Sequence, residues 1–481
     1  MLCVAATVCL SSIARAQTSD STRFAAIDLF VARALRADRV PGAALAIVHG
    51  DSIVHLRGFG SVADGRTITG DTPFVIGSMS KTFTAMAIMQ LVEQGRVELD
   101  APAQRYLLWF QVADTAASRT ITVRQLLLHT SGIPTAATRA AGNDRTLASH
   151  VRALRQVSLS AAPGTAHQYA SPNYLVLGAI VEAVSGLSFA AYVQQRILTP
   201  LGMTHSHVDQ DAAIADGMAE GHRYWFGFPV AATLPHESDR LPTASLISSA
   251  GDLARFLIAQ RVSAERVSAE RDSSGVLSQA GLAAMRTGGV ESAGFAYAFG
   301  WRVSLFNGVR AVHHGGIVPN FRGKMAMLPD SGWGVVVLTN ASSSLPLPLA
   351  PTSHRIADAV TASLAGAPLG ESDSRFRLMH WVLLAVTALI LLSQLRGLWR
   401  VTRRRTPSPP RGVFVRDVLF ESAWVMFAIF WLPRVVGVTW PEMFRGSPDL
   451  SWWLASTLLL SVANVAYGVA HNFKGRYIRR D

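Results

Sequence analysis

Residues 77–95 read Gly77-Ser78-Met79-Ser80-Lys81-Thr82-Phe83-Thr84-Ala85-Met86-Ala87-Ile88-Met89-Gln90-Leu91-Val92-Glu93-Gln94-Gly95. A proline-free run rich in helix formers lies between two glycines, so the stretch reads as one helix opening near Ser78 and stopping at Gly95. Positions i and i+3 share a helix face about 5–6 Å apart, which brings Lys81 over Ser78. The orphan N–H groups and dipole of a helix start favour negative charge developing there. A serine hydroxyl is a poor nucleophile until a base takes its proton, and a desolvated lysine can lose its charge and serve as that base. Composition sharpens the point. The chain has 41 Arg but only three Lys: Lys81, Lys324 and Lys474. Arginine would serve any position that needs only positive charge; an amine that can deprotonate is a different requirement. Taken alone, Ser-x-x-Lys arises often by chance, with Ser78 an ordinary N-cap and Lys81 a solvated first-turn residue.

Two further clusters share this character. His167-Gln168-Tyr169-Ala170-Ser171-Pro172-Asn173-Tyr174 precedes a helix that should end at Gly186. A buried phenol beside a cation can act as acid or base; the plainer reading makes Ser171 an N-cap with Pro172 at N1 and Tyr169 packing. His313-His314-Gly315-Gly316-Ile317 lies just before a closing hairpin. Its two glycines let backbone approach a ligand closely and present N–H groups to an oxyanion; the plainer reading is a glycine turn beside a structural histidine.

Outward from these clusters, residues 24–36 show helical periodicity. AALAIVHG and SIVHLRGFG meet at Gly50-Asp51 as a hairpin, and MAMLPDSGWGVVVLTN makes another across Pro329–Gly332. The amphipathic helix SHRIADAVTASL precedes a linker at 366–377. Strands at both ends with helices between them imply an α+β domain over 22–365: an antiparallel sheet flanked by terminal helices, with a helical subdomain inserted. Arg-Val-Ser-Ala-Glu occurs at 261–265 and again at 266–270, a small polar surface extension. The Ser/Pro-rich stretch 342–353 reads as a loop.

The whole chain, 481 residues, is 49% hydrophobic and only 16% charged, against about 25% charged for a soluble globular domain. A purely soluble enzyme is therefore not expected, and disorder is excluded by the apolar content. Its net charge of +12 is unevenly placed: residues 1–375 carry 30 basic and 27 acidic side chains, and residues 376–481 carry 14 and 5. The excess lies among long apolar runs, which excludes a general nucleic-acid binder. Segments 378–395, 418–440 and 450–473 are candidate spans of a lipid bilayer, the middle one weakened by Glu421, Arg434 and Pro433. Basic residues crowd 396–416 and the tail 474–481, which the positive-inside rule assigns to the cytoplasm. Everything before residue 377 then faces outward, to the periplasmic side of a cell membrane. Residues 1–16, MLCVAATVCLSSIARA, agree: they read as a signal peptide ending small-x-small, or else as a short N-terminal anchor. Both cysteines, Cys3 and Cys9, lie there, so disulfides, cysteine nucleophiles and Cys-ligated zinc are excluded from the mature chain. His205 and His207 lack helical metal spacing, and no metal or other cofactor is expected.

In their order and spacing the three clusters resemble the serine β-lactamase and penicillin-binding superfamily, specifically its class C β-lactamase-like branch. The likeness covers about residues 22–365 and includes LLLHTSGIP (126–134), PNYLVLGAIVEAVSG (172–186), LTPLGMTHS (198–206), SSAGDLARFL (248–257), FGW (299–301) and GVVVLTN (334–340). It implies a β-lactamase/transpeptidase-like fold with Ser78 as the acylated nucleophile and Lys81 as its proton partner. Tyr169 matches the second motif's tyrosine, and His314 and Gly316 match the third motif. The backbone N–H groups of Ser78 and Ile317 would form the oxyanion hole, with Ser171, Gly315 and Gly316 beside the substrate. No Gly-x-Ser-x-Gly elbow is present, which argues against an α/β-hydrolase. One departure stands out: the family's Tyr-x-Asn is here Tyr169-Ala170-Ser171. Serine offers one short hydroxyl where asparagine offers both an acceptor and an NH₂ donor, which favours ester substrates over amides. Three functions stay open on this sequence. They are a hydrolase of an ester, D-amino-acid peptide or β-lactam; a membrane-coupled sensor acylated by such ligands; and an inactive scaffold.

Overall fold

A computed structural model describes residues 21–62, 65–139, 146–235, 237–261, 276–292, 294–342, 350–370, 375–403, 411–432 and 440–477. The signal segment, nearly all of the pentapeptide repeat, and parts of the Ser/Pro-rich stretch, the linker, the basic loop and the C-terminal tail lie outside the described residues. Helix α1 covers 21–37. It is followed by β1 (Gly42–His49), β2 (Ser52–Gly60), α2 (Ser80–Glu93), α3 (Ser171–Ser185) and α4 (Ala250–Ala259). The second half supplies β3 (Val290–Ser292), β4 (Phe295–Tyr297), β5 (Arg302–Phe306), β6 (Val309–Val318), β7 (Phe321–Leu328), β8 (Trp333–Thr339) and α5 (Thr352–Leu364). Beyond it run α6 (Arg375–Arg403), α7 (Arg411–Met426) and α8 (Pro448–Tyr477).

The eight strands form one antiparallel sheet in the order β2-β1-β8-β7-β6-β5-β4-β3. The first strand of the chain pairs with the last, Ala43 opposite Thr339 through His49 opposite Trp333, so the ends of the domain close on each other. Both expected hairpins form, at Gly50-Asp51 and across Pro329–Gly332. Strands β1, β7 and β8 are buried almost throughout, because helices cover both faces. On one face lie α1 and α5: Arg23 donates to the Ser363 carbonyl at 2.7 Å, and Asp28 receives His55 and Arg57 of β2 at 2.8 Å each. The other face carries α2 and α4, joined by the stacked rings of Phe83 and Phe256 with centroids 4.1 Å apart.

Helix α2 decides the character of the site. Twelve of its 14 residues are buried, as befits a helix apolar nearly all round. Its lysine is thereby carried into the core, where an ammonium is costly. The segments inserted between α2 and α4 are mostly helical, α3 being the longest helix among them, and α3 is capped by Gly186 with φ +77°.

The chain divides into two compact units, one with described residues 21–222, 231–342 and 350–370, the other with Arg223–Val230 and 375–477. In the second unit Trp453 Nε1 donates to the Thr387 carbonyl at 3.1 Å and Gln394 Nε2 to Ser461 Oγ at 3.1 Å, tying α6 to α8. Two of its helices, Arg375–Trp399 and Pro448–Tyr467, are long and apolar enough to cross a membrane. The middle candidate is a shorter apolar helix, Val418–Trp431, with fewer than 18 residues.

Candidate active site

Gly77–Met79 form a 3₁₀ turn leading directly into α2. Gly77 has φ +59°, and a Cβ there would lie 2.5 Å from the Ile317 nitrogen; a Cβ on Gly316 would lie 1.8 Å from the Ile76 carbonyl oxygen. Glycine at both positions lets β6 abut the turn, with the Ile317 nitrogen against Gly77, the residue before Ser78. The turn is clamped from the opposite side by residues 242–246. Ile76 N donates to the Leu246 carbonyl at 2.9 Å, Leu246 N to Ser80 Oγ at 3.3 Å, and Thr84 Oγ1 to the Pro242 carbonyl at 2.7 Å.

Lys81 is wholly buried and its Nζ makes two hydrogen bonds, to Ser78 Oγ at 3.1 Å and to the Thr243 carbonyl at 2.9 Å. Burial lowers the pKa of its amine below the usual lysine value; the nearby Tyr169 acts in the opposite sense but does not win. The neutral amine is therefore populated at lower pH than in a solvated lysine, and an amine with a free lone pair on a serine oxygen can accept its proton. Lys81 Nζ lies 5.0 Å from the centroid of the Tyr169 ring. Tyr169 Oη is buried with no partner of hydrogen-bond geometry among the described residues, although it is near enough to favour the charged lysine.

His314 sits within β6 itself, not in a glycine turn. It is buried, its Nε2 is 3.2 Å from Tyr297 Oη, and its ring centroid is 6.3 Å from that of Tyr169. Burial holds its pKa well below the usual value, with Arg302 the next cause, so the imidazole is neutral. Strand alternation then divides the two glycines. Gly316 shares the His314 side and faces the Ile76–Gly77 backbone, whereas a Cβ on Gly315 would meet the His354 ring of α5, 2.6 Å away. Gly315 thus has its side-chain direction behind the sheet, away from Ser78, and only its backbone remains for the substrate-binding role expected of it.

Ser171 is the first residue of α3; Ala170 occupies the cap position with no side-chain cap bond. This removes the reading of Ser171 as an N-cap. Asn173 is engaged elsewhere: its Oδ1 accepts from Ser131 Oγ at 2.6 Å and its Nδ2 donates to His129 Nδ1 at 3.1 Å.

Several contributors were invisible in the sequence. His129, in left-handed backbone at φ +57°, accepts at Nδ1 from the Ala170 backbone N–H at 3.1 Å, and its carbonyl accepts from Gln168 N at 2.9 Å. It thereby brackets Tyr169, on whose ring its own ring lies tilted at 4.4 Å. The Arg302 guanidinium stands 5.6 Å from the Tyr169 ring centroid and 4.7 Å from that of Phe295. Thr243 supplies the carbonyl that orients Lys81. These contacts join positions as far apart as 162 residues. The only local signals were the His129 in LLLHTSGIP and the position of Arg302 next to FGW. His205 and His207, set aside as metal ligands, both bond Asp216, at 3.0 Å and 2.7 Å.

A serine at the mouth of a helix, a buried lysine amine on its oxygen and a phenol beside that amine, all next to an antiparallel sheet, are the groups that serine–lysine acyl transfer requires. The comparisons agree. The Beta-lactamase family profile matches residues 27–358. Penicillin-binding protein 4 of Amycolatopsis lactamdurans is 34% identical over 321 residues, 64% of this chain and 83% of that protein. Protein flp of Staphylococcus aureus (strain MRSA252) is 27% identical over 81% of this chain and 76% of its own length. Among solved structures, the octameric penicillin-binding protein homologue from Pyrococcus abyssi superposes with TM-score 0.62 at 28% identity, covering 76% of this chain and 81% of that one. The D-alanine carboxypeptidase AmpC from Burkholderia cenocepacia shares the fold, with TM-score 0.59 at 23% identity. The chain belongs to the Beta-lactamase family, among the serine hydrolases of the β-lactamase and penicillin-binding superfamily.

Proposed function

We propose that the protein is a membrane-anchored, extracytoplasmic serine hydrolase that works through an acyl-serine intermediate on an ester, a D-amino-acid peptide or a β-lactam. The observation that carries this is the 3.1 Å contact between Ser78 Oγ and a fully buried Lys81 whose pKa is lowered. The neutral Lys81 amine takes the Ser78 proton as Oγ attacks the carbonyl carbon. The N–H groups of Ser78 and Ile317 receive the developing oxyanion. Tyr169 relays the proton to the leaving group, and water then hydrolyses the ester so formed. Neutral His314 cannot supply a fixed charge, and the Arg302 guanidinium is the cation in position to receive a substrate carboxylate. The penicillin-binding relatives support a substrate of this kind. The Ser171 substitution sets the protein apart from a typical class C enzyme.

Two experiments test the reading. Incubating the full chain with a fluorescent penicillin and with p-nitrophenyl esters should give turnover. Ser78→Ala should abolish labelling and turnover, and Lys81→Arg should cost at least 100-fold, because guanidinium keeps the charge but cannot act as a base. Stable stoichiometric labelling without turnover would make the protein a sensor, and activity retained in Lys81→Arg would reduce Lys81 to an electrostatic role. For the anchor, the apolar helices α6 and α8 support two of the three spans; the basic clusters at 396–416 and 474–481 fall on one side, the cytoplasmic one, when the shorter helix Val418–Trp431 crosses between them, which leaves the catalytic domain outside. A reporter active only outside the cytoplasm should be active when fused after Ser372 and silent after Arg405; the opposite pattern would overturn the topology.

A further inference from the structure

The hairpin His222–Trp225 and Phe228–Ala231 is peripheral to the chemistry, yet its tip, Arg223–Val230, belongs to the same compact unit as the C-terminal helices. Within that unit it is tied to both long apolar helices. The Tyr224 ring packs on Phe376 at 4.8 Å and on His380 at 6.0 Å, and Phe228 meets Trp381 edge-on at 6.4 Å, all at the start of α6. The Phe226 N–H donates to Asp449 Oδ2 at 2.9 Å, in the first turn of α8, where a carboxylate also complements the helix dipole. Asp449 is 2% exposed, and its Oδ1 is buried with no hydrogen-bond partner among the described residues, which makes the Phe226 N–H the donor its burial leans on. At the turn, Gly227 has φ +81°, and a Cβ there would lie 2.7 Å from His380 Cβ, so the approach of hairpin to helix depends on glycine.

The outward side of the same region is apolar and aromatic. Trp225, Phe228 and Val230 are 41%, 46% and 50% exposed, beside Leu378, Trp381 and Trp452 at 63%, 53% and 57%. A patch of this kind in water would be an aggregation hazard. Its composition, tryptophan with phenylalanine at the starting ends of two helices long enough to span, is that of the aromatic belt where indole rings settle between headgroups and acyl chains. We infer that the tip Arg223–Val230 is a further membrane-contacting element beside the spanning helices, seated in the headgroup–glycerol zone of the lipid bilayer. The occupant of the patch is lipid. The inference rests on the reading of α6 and α8 as spans.

The test uses the full chain, with Cys3→Ser and Cys9→Ser, in nanodiscs of phosphatidylethanolamine and phosphatidylglycerol at about three to one. The dye NBD is attached through Val230→Cys in one sample and through Leu459→Cys, on the exposed face of α8, in another. Lipids spin-labelled near the headgroup or at acyl carbon 12 serve as quenchers. The hairpin dye should show blue-shifted emission and at least threefold stronger quenching by the shallow label than by the deep one. The α8 dye should show the reverse. Gly227→Val or Asp449→Ala should release the hairpin dye into water without changing the α8 dye. Water-like emission from the hairpin dye with a lipid-quenched α8 dye overturns the inference and leaves the spans standing. Loss of lipid quenching at both positions overturns the spanning reading and the inference with it. Energy transfer between hairpin dyes without lipid quenching also overturns it, by showing a second copy of the chain on the patch.

Discussion

At the scale of single residues, the site works by pairing groups whose burial removes charge with others that keep it. Lys81 and His314 are both pushed toward neutrality by desolvation, and the Arg302 guanidinium stands across the Tyr169 ring. Ser171 is the position where specificity should turn. The family's asparagine would offer an NH₂ donor there, and the nearest asparagine, Asn173, is held in a buried network with Ser131 and His129. Asn173 therefore cannot fill the role without breaking two hydrogen bonds. A neutral hydrogen bond is worth about 0.5–1.5 kcal/mol, or roughly threefold to tenfold in rate if made in the transition state. The wild type should prefer activated esters to cephalosporins, and Ser171→Asn should raise cephalosporin turnover relative to ester turnover by about that factor. Comparing kcat/KM for one ester and one cephalosporin on both proteins checks it, and an unchanged ratio would remove Ser171 from the specificity argument.

At the scale of elements, what the sequence made legible is what local rules govern. Alternating runs around Gly50 and Gly332, the 3.6-residue periodicity of α1 and α5, and the i, i+3 spacing of Ser78 and Lys81 are all short-range, and all recur in the structure. The strand identity of His314–Gly316 was not legible, since two glycines read as a turn until the pairing of β6 with β7, His314 opposite Met325 and Gly316 opposite Gly323, places them in the sheet. Nor was the support of the segment before α3. Its backbone is fixed by His129, 41 residues earlier, through the Ala170 N–H. Two donors at His129 Nδ1 leave the ring proton on Nε2, which is buried without a partner, so the ring is committed to positioning and has little scope to titrate. His129→Ala should lower kcat by roughly tenfold, from two lost hydrogen bonds of about 0.5–1.5 kcal/mol each, with KM little changed. His129→Asn, which tolerates left-handed backbone and offers an acceptor, should recover part of the loss. Steady-state kinetics on both variants decide it; equal losses would mean that the ring's bulk, not its acceptor, holds Tyr169.

At the scale of the whole molecule, the catalytic unit carries an unusual load of neutral imidazole. His129, His313 and His314 are held well below the ordinary histidine pKa, and His354 is lowered to about 3, in each case chiefly by burial. Lys324, paired with Asp358, adds to the lowering of both His313 and His354. For a base whose folded pKa is depressed, the unfolded chain binds the proton first. Stability is therefore complete above about pH 6.5 and falls as pH drops below it, by about 1.4 kcal/mol per pH unit for each histidine that stays neutral. Buried Asp252 and Asp358 act in the opposite sense, since their pKa values are raised by burial. Two such carboxylates oppose four histidines, so the net change as pH falls below 6.5 follows the histidines. For His354, lowered to about 3, that loss of about 1.4 kcal/mol per pH unit is already sizeable against the 5–15 kcal/mol usual for a folded domain. Denaturant unfolding of the full chain in detergent micelles, followed by tryptophan fluorescence at pH 7.5, 6 and 5, should show the midpoint falling steeply between the last two. His354→Gln should flatten that slope by about one proton's worth. A midpoint independent of pH across the interval would mean that these imidazoles are solvated or charged in the native state, and that the packing of α5 on β6 and β7 differs from the one described.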